Sequence, residues 1–464
     1  MKKQFIRAIF CAPTGEYEDK PYSSRLNDKV FSALAEAGIN RIFAFTYDNR
    51  PETIEKTFEL CEKYHMKCYP TPRCAEDYVR TVADKDGHKP FLNYTEEEKA
   101  ELDQRLICEI NDMKRHKSFG GIFFQDEAGY MAFEGIAHAK RVFDVHFSEY
   151  EFHNNFFSYA INDAIFWGGM SQKVPEILPF KLEGDLEITF QNRFNYYNKL
   201  VEGLLSKASF EFLSQDMYPF ENFWPTVPTA VHVSLYELNA YFNKKKQKYG
   251  SKFYNYMQVG HWFGGGRPMT FAEMALQMNV TAAYGSDGFA YFPGCFPLEW
   301  VGKPRFAFGE QGGCSLIDLD GNKTVYCDWI KELNGFFLKI EHDILSSNHL
   351  GVQAYGQYQN GFTKGNLSGV ADSETIYQGD FPDILHYESG LQVESENQVM
   401  LSCFDNEGKR RYYIVNLSTI YDNKVSVELP QGSYRMISLQ EEQNVNEKIC
   451  ITLNAGCGVY IMEE

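Results

Sequence analysis

Two adjacent carboxylates follow a short apolar run in the segment GGIFFQDE, which ends in Asp126 and Glu127. Another acid, Asp216, ends the apolar segment FEFLSQD. Burial disfavours a charged carboxylate, so a glutamate at the rim of an apolar pocket has a raised pKa and can donate a proton at neutral pH. Because neighbours on a strand point to opposite sides, we expect Asp126 and Glu127 to have different tasks. Capping of a following helix is the simpler alternative for both segments.

Polar and aromatic side chains gather at the ends of the other predicted strands. Aromatic rings can stack on the C–H faces of a sugar, and aromatic residues make up 16% of the chain. Amides, carboxylates and arginines can bind sugar hydroxyls. The predicted substrate-binding residues are Asp48, Arg73, Asp126, Asn154, Asn155, Tyr218, Gln258, His261, Trp262, Arg267, Glu299 and Trp300. Packing between domains is the alternative for the aromatic rings, and a buried core histidine is the alternative for His261.

These residues belong to a chain in which short apolar strands alternate with helical patterns through about residue 345. One helix start, Thr95 with Glu98, has the spacing of a capping box. Eight successive strand–helix units predict a closed parallel barrel, because parallel strands are joined by right-handed helical crossovers. The first strand is followed by PTGEYED rather than a glycine-rich phosphate loop, so a dinucleotide-binding sheet is a poor fit. We therefore predict a (β/α)8 TIM barrel over residues 1–348, which carries the catalytic residues at the carboxyl ends of its strands.

The remainder of the chain has a different pattern. Apolar and polar residues alternate with period two, and turn signals such as Asn406-Glu407-Gly408 recur at intervals of roughly ten residues. Short strands at this spacing are typical of an antiparallel sandwich. We predict a small antiparallel β-sandwich domain over residues 349–464.

Composition excludes several classes of partner. The chain has 464 residues and a formal net charge of −18, which repels nucleic acid and anionic membranes. It has no apolar stretch of about 18 residues that could span a bilayer. The eleven cysteines include no CxxC and fall mostly in apolar stretches, so we read them as reduced residues of a cytoplasmic protein. No motif for a metal or another cofactor is present, and self-association into a homo-oligomer stays open.

The segments GGIFFQDEAG and SQDMYP, with the block from QVGHW to GSDGFAYF, resemble the glycoside hydrolase clan A superfamily. The barrel-then-sandwich order agrees, and family 42-like or uncharacterised glycosidase-like barrels are the most similar type. This resemblance implies an acid/base glutamate at the end of strand four, which maps onto Glu127, although Asp126 replaces the usual asparagine. It also implies a nucleophilic glutamate at the end of strand seven, where this sequence has Gln258 and His261.

We therefore predict a glycoside hydrolase that cleaves an oligosaccharide or glycoside, with Glu127 as proton donor and Asp216 as second carboxylate. A short aspartate leaves room for a water beside the anomeric carbon, so we expect inversion with Asp216 as general base. Glu299 is the other candidate for the second carboxylate. A non-catalytic carbohydrate-binding barrel is the main alternative, because the strand-seven glutamate is missing. A lyase, isomerase or aldolase would need a metal cluster or a buried strand-end lysine, and the sequence shows neither.

Overall fold

The computed structural model describes residues 4–14, 24–44, 50–156, 168, 193–220, 228–260, 268–306, 313–355 and 387–464. Eight parallel strands form its first sheet. They are β1 (Ile6–Ile9), β2 (Arg41–Ala44), β3 (Lys67–Pro70), β4 (Gly121–Gln125), β5 (Glu151–Phe156), β6 (Phe212–Asp216), β7 (Lys252–Gln258) and β8 (Gly288–Phe292). Hydrogen bonds join them in the order β3-β2-β1-β8-β7-β6-β5-β4.

Contacts between β3 and the start of β4 close this sheet into a barrel. The backbone N–H of Cys68 donates to the carbonyl of Ser118 over 2.8 Å, and the N–H of Gly120 donates to the carbonyl of Cys68 over 3.0 Å. Since the chain order of the strands is also their order around the ring, the predicted (β/α)8 barrel is confirmed. All carboxyl ends of its strands therefore meet at one face.

Helices follow the strands and cover the outside of the barrel. They are α1 (Asp28–Glu36), α2 (Pro51–Lys63), α3 (Ala75–Val79), α4 (Glu96–Met113), α5 (Phe133–Phe147), α6 (Arg193–Leu205), α7 (Pro228–Tyr249), α8 (Phe271–Ala283) and α9 (Val325–Ser346). The capping box predicted at α4 is present, because Thr95 Oγ1 accepts from the Glu98 N–H over 3.2 Å and Glu98 Oε2 accepts from the Thr95 N–H over 2.7 Å. Thr270 and Glu273 form a second capping box at the start of α8.

Among the described residues after α9, nine strands form antiparallel sheets. They are β9 (Asn348–Tyr355), β10 (Gln392–Ser395), β11 (Val399–Asn406), β12 (Lys409–Asn416), β13 (Asn423–Glu428), β14 (Tyr434–Ser438), β15 (Glu442–Val445), β16 (Lys448–Leu453) and β17 (Gly458–Glu463). A three-stranded sheet has the order β10-β13-β16, and a six-stranded sheet has the order β15-β14-β17-β12-β11-β9. Apolar side chains of both sheets, such as Ile414 and Val427, share one core, which confirms the predicted sandwich.

The six-stranded sheet packs against two helices of the barrel. Tyr413 donates to Asn279 Oδ1 of α8 over 2.5 Å. Asp343 of α9 accepts hydrogen bonds from Arg411 Nε over 2.7 Å and from the Tyr460 hydroxyl over 2.8 Å. These polar contacts, of which that between Tyr413 and Asn279 is buried, hold the sandwich against α8 and α9.

All eleven cysteines are free, and nine of them are buried, while Cys108 and Cys450 are exposed. The buried ones fill apolar space, as small hydrophobic residues do. In the part of the chain that the structure describes, no helix has both the length and the apolar character needed to span a bilayer.

Candidate active site

Asp126 and Glu127 lie just beyond the end of β4, where the chain leaves the barrel wall. The strand itself is fully buried, and it ends at Gln125. Glu127 has a φ of +48°, a left-handed conformation that is uncommon for any residue other than glycine. Its backbone N–H donates to the carbonyl of Asn155 over 3.0 Å, so the turn is tied to β5.

This turn corrects the expectation that the two neighbouring acids face opposite sides. Strand alternation ends at Gln125, and beyond the left-handed turn at Glu127 the two carboxyl groups are near enough for the charge of Asp126 to act on Glu127. The charge of Asp216 acts on both carboxyl groups. Neither acid caps the following helix, because α5 begins at Phe133 with Ala132 at its N-cap.

The side chain of Asn155 connects Asp126, just beyond β4, with Asp216 at the end of β6. Asp216 is the last residue of β6 and only 7% exposed. Asn155 Nδ2 lies 2.9 Å from Asp126 Oδ1 and 2.9 Å from Asp216 Oδ1. Asn155 Oδ1 in turn accepts from Ser214 Oγ over 2.8 Å, which fixes the orientation of the amide. One amide from the strand between β4 and β6 therefore bridges two carboxylates.

The electrostatics of the cluster differ from one acid to the next. Burial, followed by the charges of Asp216 and Asp126, raises the pKa of Glu127 well above its usual range. Burial and the charge of Asp216 also raise the pKa of Asp126. Burial raises the pKa of Asp216 as well, but hydrogen bonds from Glu127, Asn155 and Tyr218 favour its charged form.

Burial and neighbouring charge therefore favour the neutral form of Glu127, as they do for Asp126. A neutral Glu127 donates a hydrogen bond to a charged Asp216, since the contact raises the pKa of the first and lowers that of the second. Two carboxylates in direct contact cannot both be charged without strong repulsion. The arrangement holds a neutral carboxylic acid ready to give up a proton beside a charged carboxylate.

Tyr218 supports the charged state of Asp216. It follows β6 by two residues, and its ring stacks on Phe292 with 5.5 Å between ring centroids. Burial and the neighbouring charges of Asp216 and Glu127 raise the pKa of its phenol, so it stays a hydrogen-bond donor. Its hydroxyl hydrogen-bonds to Asp216.

Glu299 lies at the same end of the barrel, in the short 3-10 helix Leu298–Trp300 after β8. After burial, the charges of Glu299, Cys295 and Asp126 raise the pKa of the Cys11 thiol, so Cys11 is near both Glu299 and Asp126. Among the residues that the structure describes, no three His, Cys, Asp or Glu side chains are arranged to hold a metal ion.

Several other predicted site residues have different surroundings. Arg73 is exposed, and its backbone N–H donates to Glu109 Oε2 over 2.6 Å. Asn154 is buried on the outer face of β5, opposite to Asn155. The indole of Trp300 is buried and stacks on Phe306 with 4.1 Å between ring centroids. A role for these three residues in substrate binding stays a prediction.

Gln258 is fully buried at the end of β7 and contacts the backbone. Its Oε1 accepts from the N–H of Phe220 over 2.8 Å, and its Nε2 donates to the carbonyl of Gly260 over 3.0 Å. The amide therefore positions the loop that follows Asp216 at the end of β6. The predicted residues Asp48, His261, Trp262 and Arg267 lie outside the described residues.

Two residues of this site were not predicted. Ser214 orients Asn155, and Tyr256 lies beside Asp216 on the neighbouring strand. The period of two along β6 could have identified Ser214, because it shares the strand face of Asp216. No sequence signal identifies Tyr256, because its place depends on the register between β6 and β7.

No protein-family model matches this sequence. No curated protein matches it either. The chain is similar in structure to a β-galactosidase from a Rahnella species, at 9% identity over 100% of this chain and 98% of that one, with a TM-score of 0.51. A family 42 β-galactosidase from G. stearothermophilus gives 10% identity over 99% and 98% of the two chains, with a TM-score of 0.51.

A family 39 glycoside hydrolase from Bacteroides cellulosilyticus is also similar, at 11% identity over 100% of this chain and 82% of that one, with a TM-score of 0.50. Identities this low show similarity of fold. The fold that the sequence resemblance implied is confirmed: the chain shares with these structures a (β/α)8 barrel followed by an antiparallel β-sandwich.

Proposed function

We propose that this protein is a glycosidase in which Glu127 donates a proton to the glycosidic oxygen and Asp216 is the second carboxylate. The observation that carries the proposal is the convergence of these two acids at the carboxyl end of the barrel, where each acts on the pKa of the other. A general acid must hold its proton at working pH, and burial with neighbouring charge keeps Glu127 neutral. The glycosidase fold of the structural neighbours supports this assignment.

A sugar has to separate the two carboxyl groups before reaction. Retaining enzymes hold their carboxyl groups about 5–5.5 Å apart, and inverting enzymes about 6.5–9.5 Å. Asp216 keeps its contacts to Asn155 and Tyr218 when Glu127 leaves, so Glu127 is the side chain that moves. The charged, short Asp216 then has room for a water, and we propose that it activates this water for inversion.

The proposed reaction transfers two protons, one to the leaving oxygen and one from the attacking water. Glu127 gives its proton to the leaving group as the glycosidic bond breaks, and Asp216 takes a proton from the attacking water. Asp126, held by Asn155, is placed to bind a hydroxyl of the same sugar. The buried, free cysteines support a reducing compartment, and we propose the cytoplasm.

The experiment is a turnover assay on a panel of 4-nitrophenyl glycosides in both anomeric forms. We expect the wild-type protein to release nitrophenol from at least one of them, and Asp216→Asn to abolish most of that activity. Proton NMR of the first-formed sugar gives the stereochemistry, and inversion is the expected outcome. Wild-type activity in Asp216→Asn would remove Asp216 from the mechanism and direct attention to Glu299.

A non-catalytic sugar-binding barrel is the second candidate, and one observation favours it. The end of β7 carries Gln258, whose amide is bound to backbone on both sides, where the resemblance implied a nucleophile. This candidate predicts that free sugars bind while the whole glycoside panel stays intact. Any substrate turned over at a rate that depends on Glu127 would exclude it.

A further inference from the structure

Tyr256 lies directly beside Asp216 in the barrel wall. The two residues are register partners in the parallel pair of β6 and β7, so their backbones are about 5 Å apart. The Tyr256 ring packs edge-on against Phe10 in the aromatic interior of the barrel, with 5.5 Å between ring centroids. Only 1% of Tyr256 is exposed.

The hydroxyl of this tyrosine has no hydrogen-bond partner among the residues that the structure describes. Tyr254 faces the same interior two residues earlier, and its hydroxyl lies 3.0 Å from His153 Nδ1. The hydroxyl of Tyr218 hydrogen-bonds to Asp216. A buried hydroxyl without a partner is unfavourable, so such groups in a native protein call for an explanation.

The charge around Tyr256 sets the role that its hydroxyl can play. Burial, Tyr254, Asp126 and Asp216 all raise the pKa of this phenol, so it keeps its proton at neutral pH. The neighbouring acids supply acceptors, and Tyr256 adds an unused donor beside them. A ligand group that satisfies both kinds of neighbour must accept one hydrogen bond and donate another.

We propose that the Tyr256 hydroxyl is a substrate-binding group that donates a hydrogen bond to one sugar hydroxyl, while the same sugar hydroxyl donates to Asp126 or Asp216. A sugar hydroxyl has one donor and two acceptor positions, so it fits both contacts. A ligand ammonium could only donate and would leave the phenol proton without an acceptor. This inference rests on the proposed function and extends it to the group that recognises the most deeply placed hydroxyl.

The test compares Tyr256→Phe with Tyr254→Phe, its matched control on the same face of β7. Thermal shift and calorimetry with galactose, glucose, mannose, xylose, arabinose and fucose identify the sugar that binds the wild-type protein best. We expect Tyr256→Phe to bind that sugar about threefold to tenfold more weakly, the range for one neutral hydrogen bond. Its melting temperature stays the same or rises, because no internal bond is lost.

The control has the opposite signature. Tyr254→Phe removes hydrogen bonds to buried His153 and to Ser214, so we expect a lower melting temperature, while the preference for the parent sugar over its monodeoxy forms stays as in the wild-type protein. Monodeoxy forms of the best sugar then locate the contact. One of them should bind the wild-type protein more weakly than the parent sugar, and Tyr256→Phe should distinguish the two less strongly, because only the hydrogen bond to the acid remains.

The outcomes separate this inference from the proposed function. If the wild-type protein binds a sugar and Tyr256→Phe binds it equally well, the inference is wrong and the proposed function stands. A large fall in the melting temperature of Tyr256→Phe would show that the hydroxyl already has a partner, which also overturns the inference. If none of the sugars binds the wild-type protein, the proposed function fails and the inference fails with it.

Discussion

The backbone N–H of Glu127 donates to the carbonyl of Asn155 over 3.0 Å, and this bond holds a residue in the left-handed conformation against β5. The side chain of Asn155 meanwhile bridges Asp126 and Asp216 at 2.9 Å each. A single residue of β5 therefore positions all three acids of the candidate site, two through its side chain and one through its backbone.

The proton-donor role of Glu127 predicts a dependence on the leaving group. We expect Glu127→Gln to lower kcat by about 10²–10⁴-fold for glycosides with poor leaving groups, because general acid catalysis contributes about that much. Activated aryl glycosides need no proton and should lose far less. Steady-state kinetics on matched aryl and alkyl glycosides measure the difference.

Asp126→Asn is the control for this comparison. It removes a neighbouring acid without removing the proposed donor, so both kinds of leaving group should be affected equally. An equal loss on both substrates in Glu127→Gln, or no loss, would argue that Glu127 is not the general acid.

The raised pKa of Glu127 predicts a stability that falls with rising pH. The folded protein holds the proton above about pH 4.3, where the unfolded chain has lost it, so the unfolding free energy decreases as pH rises. Glu127→Gln removes this titration, and the amide of the glutamine can still donate a hydrogen bond to Asp216. We expect it to be more stable than the wild-type protein at pH 7 and similar to it near pH 4, as measured by urea unfolding.

Glu151 provides the opposite case at the other end of the barrel. Burial alone would raise its pKa, but Arg41 and hydrogen bonds from His153 and Tyr69 lower the pKa to about 2. Its contribution to stability is complete above about pH 4.3 and is lost as pH falls towards 2. Glu151→Gln should therefore destabilise the protein at pH 7, and stabilisation by this variant would contradict the assignment.

Asn155 is predicted to act through the acids it bridges. Its amide lowers the pKa of Asp126 and Asp216, so Asn155→Ala should raise both. If Asp216 must be charged to act as base, the acidic limb of the kcat/KM profile moves to higher pH. A pH–rate profile measures this shift, which a purely structural role would not produce.

Ser214→Ala tests the contact behind Asn155, because Ser214 touches Asn155 and Asn155 touches Asp216. It removes the hydroxyl that orients the Asn155 amide and should shift the acidic limb in the same direction by a smaller amount. If kcat/KM falls in both variants while the pKa of the acidic limb stays unchanged, the positioning role of Asn155 is contradicted.

The start of β4 predicts a strong requirement for glycine. Gly121 has a φ of +145°, and a Cβ there would lie 1.9 Å from the carbonyl oxygen of Glu151. We expect Gly121→Ala to lower the unfolding free energy by about 2–4 kcal/mol, because the clash is with backbone of the paired strand. Denaturant unfolding measures the change.

Gly335 in α9 is the matched control, since a Cβ at this position meets nothing within 4 Å. Alanine in a helix interior is more favourable than glycine, so Gly335→Ala should raise stability by about 0.5–1 kcal/mol. Equal effects of the two substitutions would show that the crowding at β4 has no energetic consequence.

The sequence by itself determined the architecture and which strand ends carry acids. The alternation of apolar strands with helices requires parallel pairing and a closed barrel, and the carboxyl ends of parallel strands meet at one face. The positions of Asp126, Glu127, Asn155 and Asp216 at that face follow from counting residues to the end of each strand. The period of two after residue 348 likewise determined the sandwich.

Tertiary structure alone decided which of these residues touch. The left-handed turn at Glu127 depends on a hydrogen bond to β5, and it overrides the strand alternation that would separate the neighbouring acids. The hydrogen bond from the Phe220 N–H to the Gln258 side chain joins the end of β7 to the loop after β6. The pairing of Tyr256 with Asp216 likewise depends on how β7 aligns with β6. The raised pKa of Glu127 comes from its burial and from the charges of its neighbours, and both exist only once the barrel is closed.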